Sequence, residues 1–278
     1  MLSMPHISRL AAGALSLMLA AGAQAHDTWF APATRPAPGN LTLLLGTGNQ
    51  FPLQEFGLQA SHLEQLGCQT RQGQRLALLP QTETGTALSL RVGGTDTMAG
   101  QPLTCWAQLV PFEIEIAPAQ VAVYLREIRA PQSAQDTWAG LQARGVGWKE
   151  RYVKNARVEL GAAAAAAEPR PVSLGLDVLL DRAGTTLRPG DALSFRVLRD
   201  GVPFPGFNVE LRGDRSPIGF WRQTDAQGRV TFTAPLPGHW VLRGTDLRMS
   251  AERPDTWDSR FVTLAFEIGD GLPRTAAP

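Results

Sequence analysis

Apolar residues occur in short runs over the first part of the chain, between residues 40 and 110. The runs LTLLLGTG, RLALLP, TALSLRVGG and QPLTCWAQLV are separated by glycine, proline and polar residues. Short runs with turn residues at both ends are typical of β-strands. FEIEIAP continues the theme by alternation, with Phe112, Ile114 and Ile116 on one face and two glutamates on the other. VAVYLREI, which follows, is also predicted to be a strand.

The period changes between residues 133 and 160. Alternation stops there, and Trp138, Leu141, Trp148 and Tyr152 recur at intervals close to those of a helix face. Two glycines interrupt the pattern. The sequence therefore predicts two short helices near residues 133–160.

The segment GAAAAAAEPRP, residues 161–171, is predicted to be a linker. Alanine favours helix, but the run has no amphipathic face and two prolines close it. The linker divides the chain into an N-terminal β-rich domain, residues 26–160, and a C-terminal domain, residues 172–270, with a tail at 271–278.

Strand signals are cleaner after the linker. The segments are LDVLLD, DALSFRVLRDG, GFNVELRG, GFWRQT, GRVTFTAP, HWVLRGT and RFVTLAFEIG, with turn residues between them. This spacing predicts an antiparallel sandwich of about seven strands. We therefore expect a mainly β protein with two β-sandwich-like domains, the second immunoglobulin-like or transthyretin-like, and short helices between them.

The first 25 residues have the pattern of a secretory signal peptide. A single arginine precedes an apolar run, and Ala23, Gln24 and Ala25 form a small-x-small cleavage site. The run is short for a membrane span, although a retained anchor is an alternative. We expect cleavage after Ala25, a periplasmic protein and no membrane insertion after the signal is removed; cleavage after Ala23 is the other option.

Charge and cysteine content narrow the function classes. The chain has 26 basic and 25 acidic residues, so no general electrostatic attraction to nucleic acid is expected. In an oxidising compartment the two cysteines, Cys68 and Cys105, favour one disulfide. A metal-thiolate role is the alternative, but neither cysteine has a CxxC or histidine partner nearby.

The candidate chemistry lies at the cleavage site. Cleavage after Ala25 makes His26 the first residue, so its α-amino nitrogen and its imidazole Nδ1 can chelate one metal ion. Nitrogen ligands of this kind suit a divalent transition metal of the nickel, cobalt or copper class. Asp27 supplies a further oxygen or orients the imidazole. Otherwise, His26 is an exposed residue at a frayed terminus.

Weaker ligand candidates are His62, in a predicted short helix, and His239, at a turn entering a strand. For each of them an ordinary structural role is the leading interpretation. The sequence contains no GxSxG, P-loop, GxGxxG after a strand, HExxH or paired CxxC motif, and we predict that the protein is not an enzyme.

Several segments together resemble the DUF4198 family: AHDTWF, GTGNQFPLQE, ERYVKNARVEL, LDVLLDRAGTTLRPGDALSFRVLRDGVPFPGFNVEL, TDAQGRVTFTAPLPGHWVLR and DTWDSRFVTLAFEIG. The resemblance implies an exported component of cobalt or nickel uptake, which would have a membrane transporter or receptor as partner. It also implies a mature N-terminus built on His26, Asp27, Trp29 and Phe30, and a C-terminal domain similar to carboxypeptidase-regulatory-like sandwiches.

Three functions follow as hypotheses. The first is a periplasmic protein that captures a metal at its processed N-terminus and delivers it to an uptake system. The second is an envelope module that binds carbohydrate or protein without metal, using exposed aromatic side chains. The third is a copper oxidoreductase, which requires His62 or His239 to lie close to His26.

Overall fold

The protein is described by a computed structural model that covers residues 26–32, 41–94, 102–161, 171–181 and 187–270. The predicted signal peptide, the C-terminal tail and residues 162–170 of the predicted linker lie outside the described residues. Within the described ranges the protein is mainly β, with two short α-helices in the middle of the chain. This confirms the predicted fold class.

The first nine strands precede the helices. They are β1 Asp27–Pro32, β2 Thr42–Gly48, β3 Phe56–Gly57, β4 Leu63–Thr70, β5 Arg75–Leu76, β6 Leu78–Glu83, β7 Leu88–Val92, β8 Leu103–Leu109 and β9 Phe112–Ile116. The helices are α1 Pro118–Glu127 and α2 Gln132–Ala143. The remaining strands are β10 Trp148–Leu160, β11 Leu176–Leu180, β12 Ala192–Arg199, β13 Val202–Pro203, β14 Asn208–Gly213, β15 Ser216–Gln223, β16 Arg229–Thr233, β17 Gly238–Met249 and β18 Trp257–Ile268.

These strands form three sheets in the described part of the chain. The N-terminal sheet has the order β1-β2-β7-β6, with β3 paired to β2. The large sheet has the order β15-β14-β17-β18-β10-β8-β4-β5, with β9 paired to β10. The C-terminal sheet has the order β11-β12-β13, with β16 paired to β12.

Each small sheet packs on a different part of the large sheet. One core joins the N-terminal sheet to β4, β8 and β10, and includes Leu45, Leu90 and Leu109. A second core joins the C-terminal sheet to β14, β17 and β18, and includes Phe195 and Trp240. The result is two sandwich-like packings that share the large sheet, and the C-terminal packing has the antiparallel, immunoglobulin-like character predicted from the strand spacing.

The two packings are joined by strand pairing. β10 and β18 run parallel over nine residue pairs, from Glu150 with Trp257 to Val158 with Ala265. The last strand before residue 161 therefore pairs directly with the last strand of the described chain. The division into domains at residues 161–171 stays a prediction, but one continuous sheet spans both sides of it.

The prediction that VAVYLREI is a strand is wrong, because residues 121–127 belong to α1 and Ile128 is its C-cap. Pro118 stands in the first turn, where its missing N–H is harmless. Val121, Tyr124 and Leu125 are buried. Their spacing is that of one helix face, so the helical period was present beneath a β-like composition.

The prediction of a helix over residues 148–160 is also wrong. α2 lies within the predicted interval, but residues 148–160 form β10, the longest strand of the large sheet. The inward face of β10 carries Trp148, Glu150, Tyr152 and Lys154 before the apolar Ala156 and Val158. Charged residues on the buried face hide the period-two hydrophobic pattern that identifies a strand.

The predicted disulfide is confirmed. Cys68 on β4 and Cys105 on β8 are directly opposite in the sheet and are bonded, and both are fully buried. The bond ties the two strands that form one side of the N-terminal core.

Neither of the two described α-helices combines the length and the apolar character that a membrane crossing requires.

Candidate functional site

The strand that follows His26 is firmly packed. β1 pairs antiparallel with β2 over its whole length. Trp29 and Phe30 are each 1% exposed, and the Thr263 hydroxyl donates a 2.6 Å hydrogen bond to the carbonyl of Thr28. The two buried aromatic residues therefore anchor β1, and His26 precedes a firmly held strand.

His26 is half-buried and its ring lies 4.9 Å from that of Phe56, between centroids. Burial lowers the pKa of its imidazole, and the positive charge of Lys154 lowers it further, against the opposing effects of Glu55, Asp27 and Glu127. A lowered pKa keeps the ring neutral at neutral pH, and a neutral imidazole is the form that binds a metal.

A cavity of about 270 Å³ opens beside β1 and brings His26 and His62 together. Residues that line it include His26, Phe56, His62, Phe112, Tyr152 and Lys154. His62 ends a short 3₁₀ turn, Ala60–His62, which leads into β4. The helical character predicted around His62 is thus confined to a single turn, and this turn directs His62 to the cavity.

The His62 imidazole has two neighbours of its own. Its ring meets the Phe112 ring edge to face at 5.3 Å, and the Gln59 backbone N–H donates to its Nδ1 at 3.4 Å. In that arrangement Nδ1 accepts and Nε2 carries the proton. Metal binding through Nε2 would require the other neutral tautomer, with the proton on Nδ1, and would therefore break the hydrogen bond from Gln59.

Asp27, the first residue of β1, points away from His26 because successive side chains of an extended chain alternate in direction, and it is not among the residues that line the cavity. Its Oδ2 accepts a 2.8 Å hydrogen bond from Arg243, and Arg243 also bonds Glu210 at 2.6 Å. To bind metal, the Asp27 carboxylate would have to leave this buried ion pair. His239 lies in β17 opposite Glu267, is exposed, and is not among the residues that line the cavity.

The sequence did not identify Lys154 and Tyr152 as site residues. Tyr152 pairs with Phe112 on β9, whereas Asn155 pairs with Gln108 on β8. Lys154 therefore lies where β10 changes its antiparallel partner, next to the loop that joins β8 and β9. This gap in the ladder leaves the Lys154 side chain facing the cavity.

Burial lowers the pKa of Lys154 to about 8, even though the negative charges of Asp27 and Glu150 act in the other direction. Its Nζ lies 5.4 Å from the Tyr152 ring and 5.8 Å from the Phe261 ring, measured to the centroids. Tyr152 stacks on Phe112 at 5.6 Å, and burial followed by the charge of Glu150 raises the pKa of its hydroxyl. The floor of the cavity is therefore cationic and one wall is aromatic.

Glu150, two residues before Tyr152, is 3% exposed but fully bonded. Its carboxylate accepts hydrogen bonds from the Tyr124 hydroxyl at 2.8 Å, the Trp148 indole at 2.8 Å and the Ser259 hydroxyl. Burial raises the pKa of Glu150, while these donors act against the rise. This network fixes the end of β10 that precedes the cavity.

Side chains alone do not complete a metal site in the described part of the chain. No group of three or more histidine, cysteine, aspartate or glutamate side chains is arranged there to hold a metal ion. The cavity offers two imidazoles. A third nitrogen donor arises only if His26 carries a free α-amino group.

Comparison with known families gives one assignment. The DUF4198 family, described as a domain of unknown function, matches residues 23–245. The chain belongs to this family. The DUF4198 match includes β1, the 3₁₀ turn and β10, and thus every residue named above as lining the cavity.

Among solved structures, the D0–D1 domain of intimin is similar at 12% identity over 87% of this chain and 97% of that chain, with a TM-score of 0.21. A likeness this weak carries no argument about function. No curated protein matches the chain.

Proposed function

We propose that this DUF4198 protein binds a divalent transition metal through His26 after removal of residues 1–25. The observation that carries the proposal is that His26 and His62, far apart in sequence, line one cavity. Cleavage after Ala25 would add the α-amino nitrogen of His26 to the two imidazoles. Three nitrogen donors are a common number for a transition-metal site with an open position.

The two histidines contribute in different ways. His26 supplies a chelate, because its amine and its Nδ1 belong to one residue that β1 holds in place. His62 supplies a single nitrogen from the turn before β4, which also lines the cavity. Asp27, held by Arg243, contributes charge near the site and not a ligand. The donors suit nickel, cobalt or copper, with copper favoured by affinity order.

Export to the periplasm and delivery to a membrane transporter or receptor belong to the same proposal. They rest on the secretory pattern of residues 1–25 and on the disulfide, which is typical of oxidising compartments. In this role the protein binds metal without a chemical step, so no catalytic residue is assigned.

The test uses protein that begins at His26, confirmed by mass spectrometry, and titration with Ni(II), Co(II) and Cu(II) by calorimetry. His26→Ala and protein acetylated at its α-amino group should each weaken binding by on the order of 100-fold, since each loses one arm of the chelate. His62→Ala should weaken it less, by about tenfold, since one nitrogen is lost. His239→Ala, at an exposed position in β17, is the matched control and should not change affinity.

Equal affinity of wild type, His26→Ala and the α-amino-acetylated protein would disprove the proposal. A mature chain isolated from the envelope that starts at Gln24 would do so as well, because it lacks the terminal histidine.

The shared cavity also favours a second candidate function, a copper oxidoreductase, since that hypothesis needs a second histidine beside His26. Cycling of bound copper by ascorbate and oxygen, with hydrogen peroxide measured, separates it from simple capture. Turnover that disappears in His26→Ala and His62→Ala would support it, and copper that stays Cu(II) would contradict it.

The envelope-module alternative depended on exposed aromatic side chains. Of the seven tryptophans, Trp29, Trp106, Trp138, Trp148, Trp240 and Trp257 are at most 6% exposed. Trp221 is partly exposed, but its ring is covered by the guanidinium groups of Arg129 and Arg243. The tryptophans therefore give this alternative no stacking surface.

A further inference from the structure

Lys154 is a buried cation without a partner. Its residue is 9% exposed, and the described part of the chain gives its Nζ no hydrogen bond and no ion pair, only the two aromatic ring contacts. An ammonium group removed from water without a directly paired counter-charge is unfavourable, and the more distant charges of Asp27 and Glu150 do not offset the effect of burial on the pKa of Lys154. Lys154 is one of the residues that line the cavity.

The nearest carboxylates are already engaged. Asp27 is bonded to Arg243, and Glu150 accepts from three donors, two of them at 2.8 Å. Glu55, near His26, accepts the Asn49 backbone N–H at 2.7 Å. None of these three carboxylates forms a direct ion pair with Lys154 in the described chain, and a charge from outside would complement the ammonium.

The walls of the cavity indicate what kind of anion fits. Phe56 and Phe112 present aromatic surface, and the buried Leu58 and Leu109 present aliphatic surface. A volume of about 270 Å³ lies just below the range of about 300–1,000 Å³ that is usual for ligand pockets. A small monoanion with an apolar body matches these properties better than a multiply charged, fully hydrated one.

We propose that this cavity is a binding site for a small organic monocarboxylate, with the Lys154 ammonium paired to the carboxylate and the body of the ligand against Phe112 and Tyr152. Inorganic phosphate fits less well, because it presents more charge than one ammonium neutralises and has no apolar part. The proposal goes beyond metal capture and does not require a metal: the cation and the aromatic wall both belong to the folded chain.

The test exploits the fact that Lys149 and Lys154 are the only lysines of the chain. Protein labelled with ¹³C-lysine and freed of metal on a chelating resin gives ε-methylene NMR signals from just these two residues. Sodium benzoate is the probe, benzamide is its neutral counterpart, and the buffer contains no carboxylate or phosphate. Benzoate should shift the Lys154 signal saturably and leave Lys149 unchanged, and benzamide should shift neither.

Variants locate the site. Lys154→Met removes the charge at similar length and should weaken benzoate binding at least tenfold, whereas Lys154→Arg should retain part of it. Lys149→Met is the matched control, because Lys149 is exposed on the opposite face of the same strand. Thermal unfolding of each variant shows that it is folded.

Three outcomes would overturn the proposal. They are the absence of any benzoate effect on the wild-type Lys154 signal, undiminished benzoate binding by folded Lys154→Met, and a response to inorganic phosphate without one to benzoate. Because the measurement is made without metal, none of these outcomes bears on metal capture by His26.

Discussion

Two buried cationic side chains, Arg157 and Lys154, lie three positions apart on β10 and differ in whether the protein pairs their charge. Arg157 is 0% exposed, and its NH1 bonds both oxygens of Asp177 at 3.0 and 3.1 Å while its Nε bonds Glu159 at 3.1 Å. Lys154, on the other face of the strand, has no ion pair among the described residues. One cation is saturated by the protein, and the other faces a cavity.

The difference separates a structural role from a binding role. Asp177 also accepts the backbone N–H groups of Val172 and Val178, so the Arg157 pair fixes the segment that enters β11. No comparable network surrounds the Lys154 ammonium. A buried charge that the fold satisfies holds the fold together, and one that the fold leaves open is available to a ligand.

The largest change in stability is expected at Arg157, whose charge is paired within the protein. Arg157→Ala leaves Asp177 buried and uncompensated, and should lower the free energy of unfolding by about 3–5 kcal/mol. Urea denaturation followed by circular dichroism measures it. Arg144→Ala, which breaks an exposed ion pair with Asp255 at 2.8 Å, is the control and should change stability by less than about 1 kcal/mol.

Equal losses of stability in Arg157→Ala and Arg144→Ala would contradict the distinction between a buried, paired charge and an exposed one. So would a stable Arg157→Ala protein whose urea midpoint matches that of wild type.

The next largest change in stability is expected at the disulfide. It closes a separation of 37 residues between β4, which follows His62, and β8, which ends at Leu109. Cys68→Ser with Cys105→Ser should lower the free energy of unfolding by about 3–4 kcal/mol, because the unfolded chain loses its cross-link. Denaturation of the oxidised protein and of the double variant gives the difference, and an unchanged midpoint would contradict it.

A smaller change in the free energy of unfolding, of opposite sign, is expected when Lys154 is replaced. The gap between a pKa of 10.5 when unfolded and about 8 when folded corresponds to roughly 3 kcal/mol of destabilisation at neutral pH. Lys154→Met should therefore raise the free energy of unfolding at pH 7 by about 1–3 kcal/mol. A loss of stability in Lys154→Met would show that the ammonium has a structural partner.

The pH dependence of stability gives a second test of the buried Lys154 ammonium. The unfolded chain binds more protons at Lys154 than the folded chain does between pH 8 and 10.5, so this group makes stability rise with pH in that window. Tyr124 and Tyr152, whose pKa values burial raises above 10, make stability fall at still higher pH. Measurements from pH 7.5 to 9.5 should show the rise in wild type and in Lys149→Met but not in Lys154→Met; identical profiles would contradict the assignment.

Particular elements explain where sequence reasoning succeeded. The strands after residue 172 were predictable because their inward positions, such as Val230 and Phe232 in β16, are apolar and their outward positions polar. The anchoring of β1 by Trp29 and Phe30 was equally local, because two large apolar residues beside a polar terminus have few alternatives to burial.

The prediction for β10 was wrong because polar and charged side chains lie on its buried face. A buried face carrying Glu150, Tyr152 and Lys154 shows no hydrophobic alternation, and only tertiary partners make its burial tolerable. The one available signal was scarcity, since Lys154 is one of two lysines in a chain whose other basic residues are arginines or histidines.

The sequence by itself determined the strand-rich composition, the cleavage pattern that would expose His26, and the pair of cysteines suited to a disulfide. These are local properties, which periodicity, residue type and spacing along the chain are enough to identify. Only the tertiary structure decided that His62 shares a cavity with His26, that Asp27 is bound to Arg243, and that Lys154 is buried without an ion-pair partner among the described residues. Such relations depend on which strands pair across long separations, as β10 does with β18, and no local pattern encodes that choice.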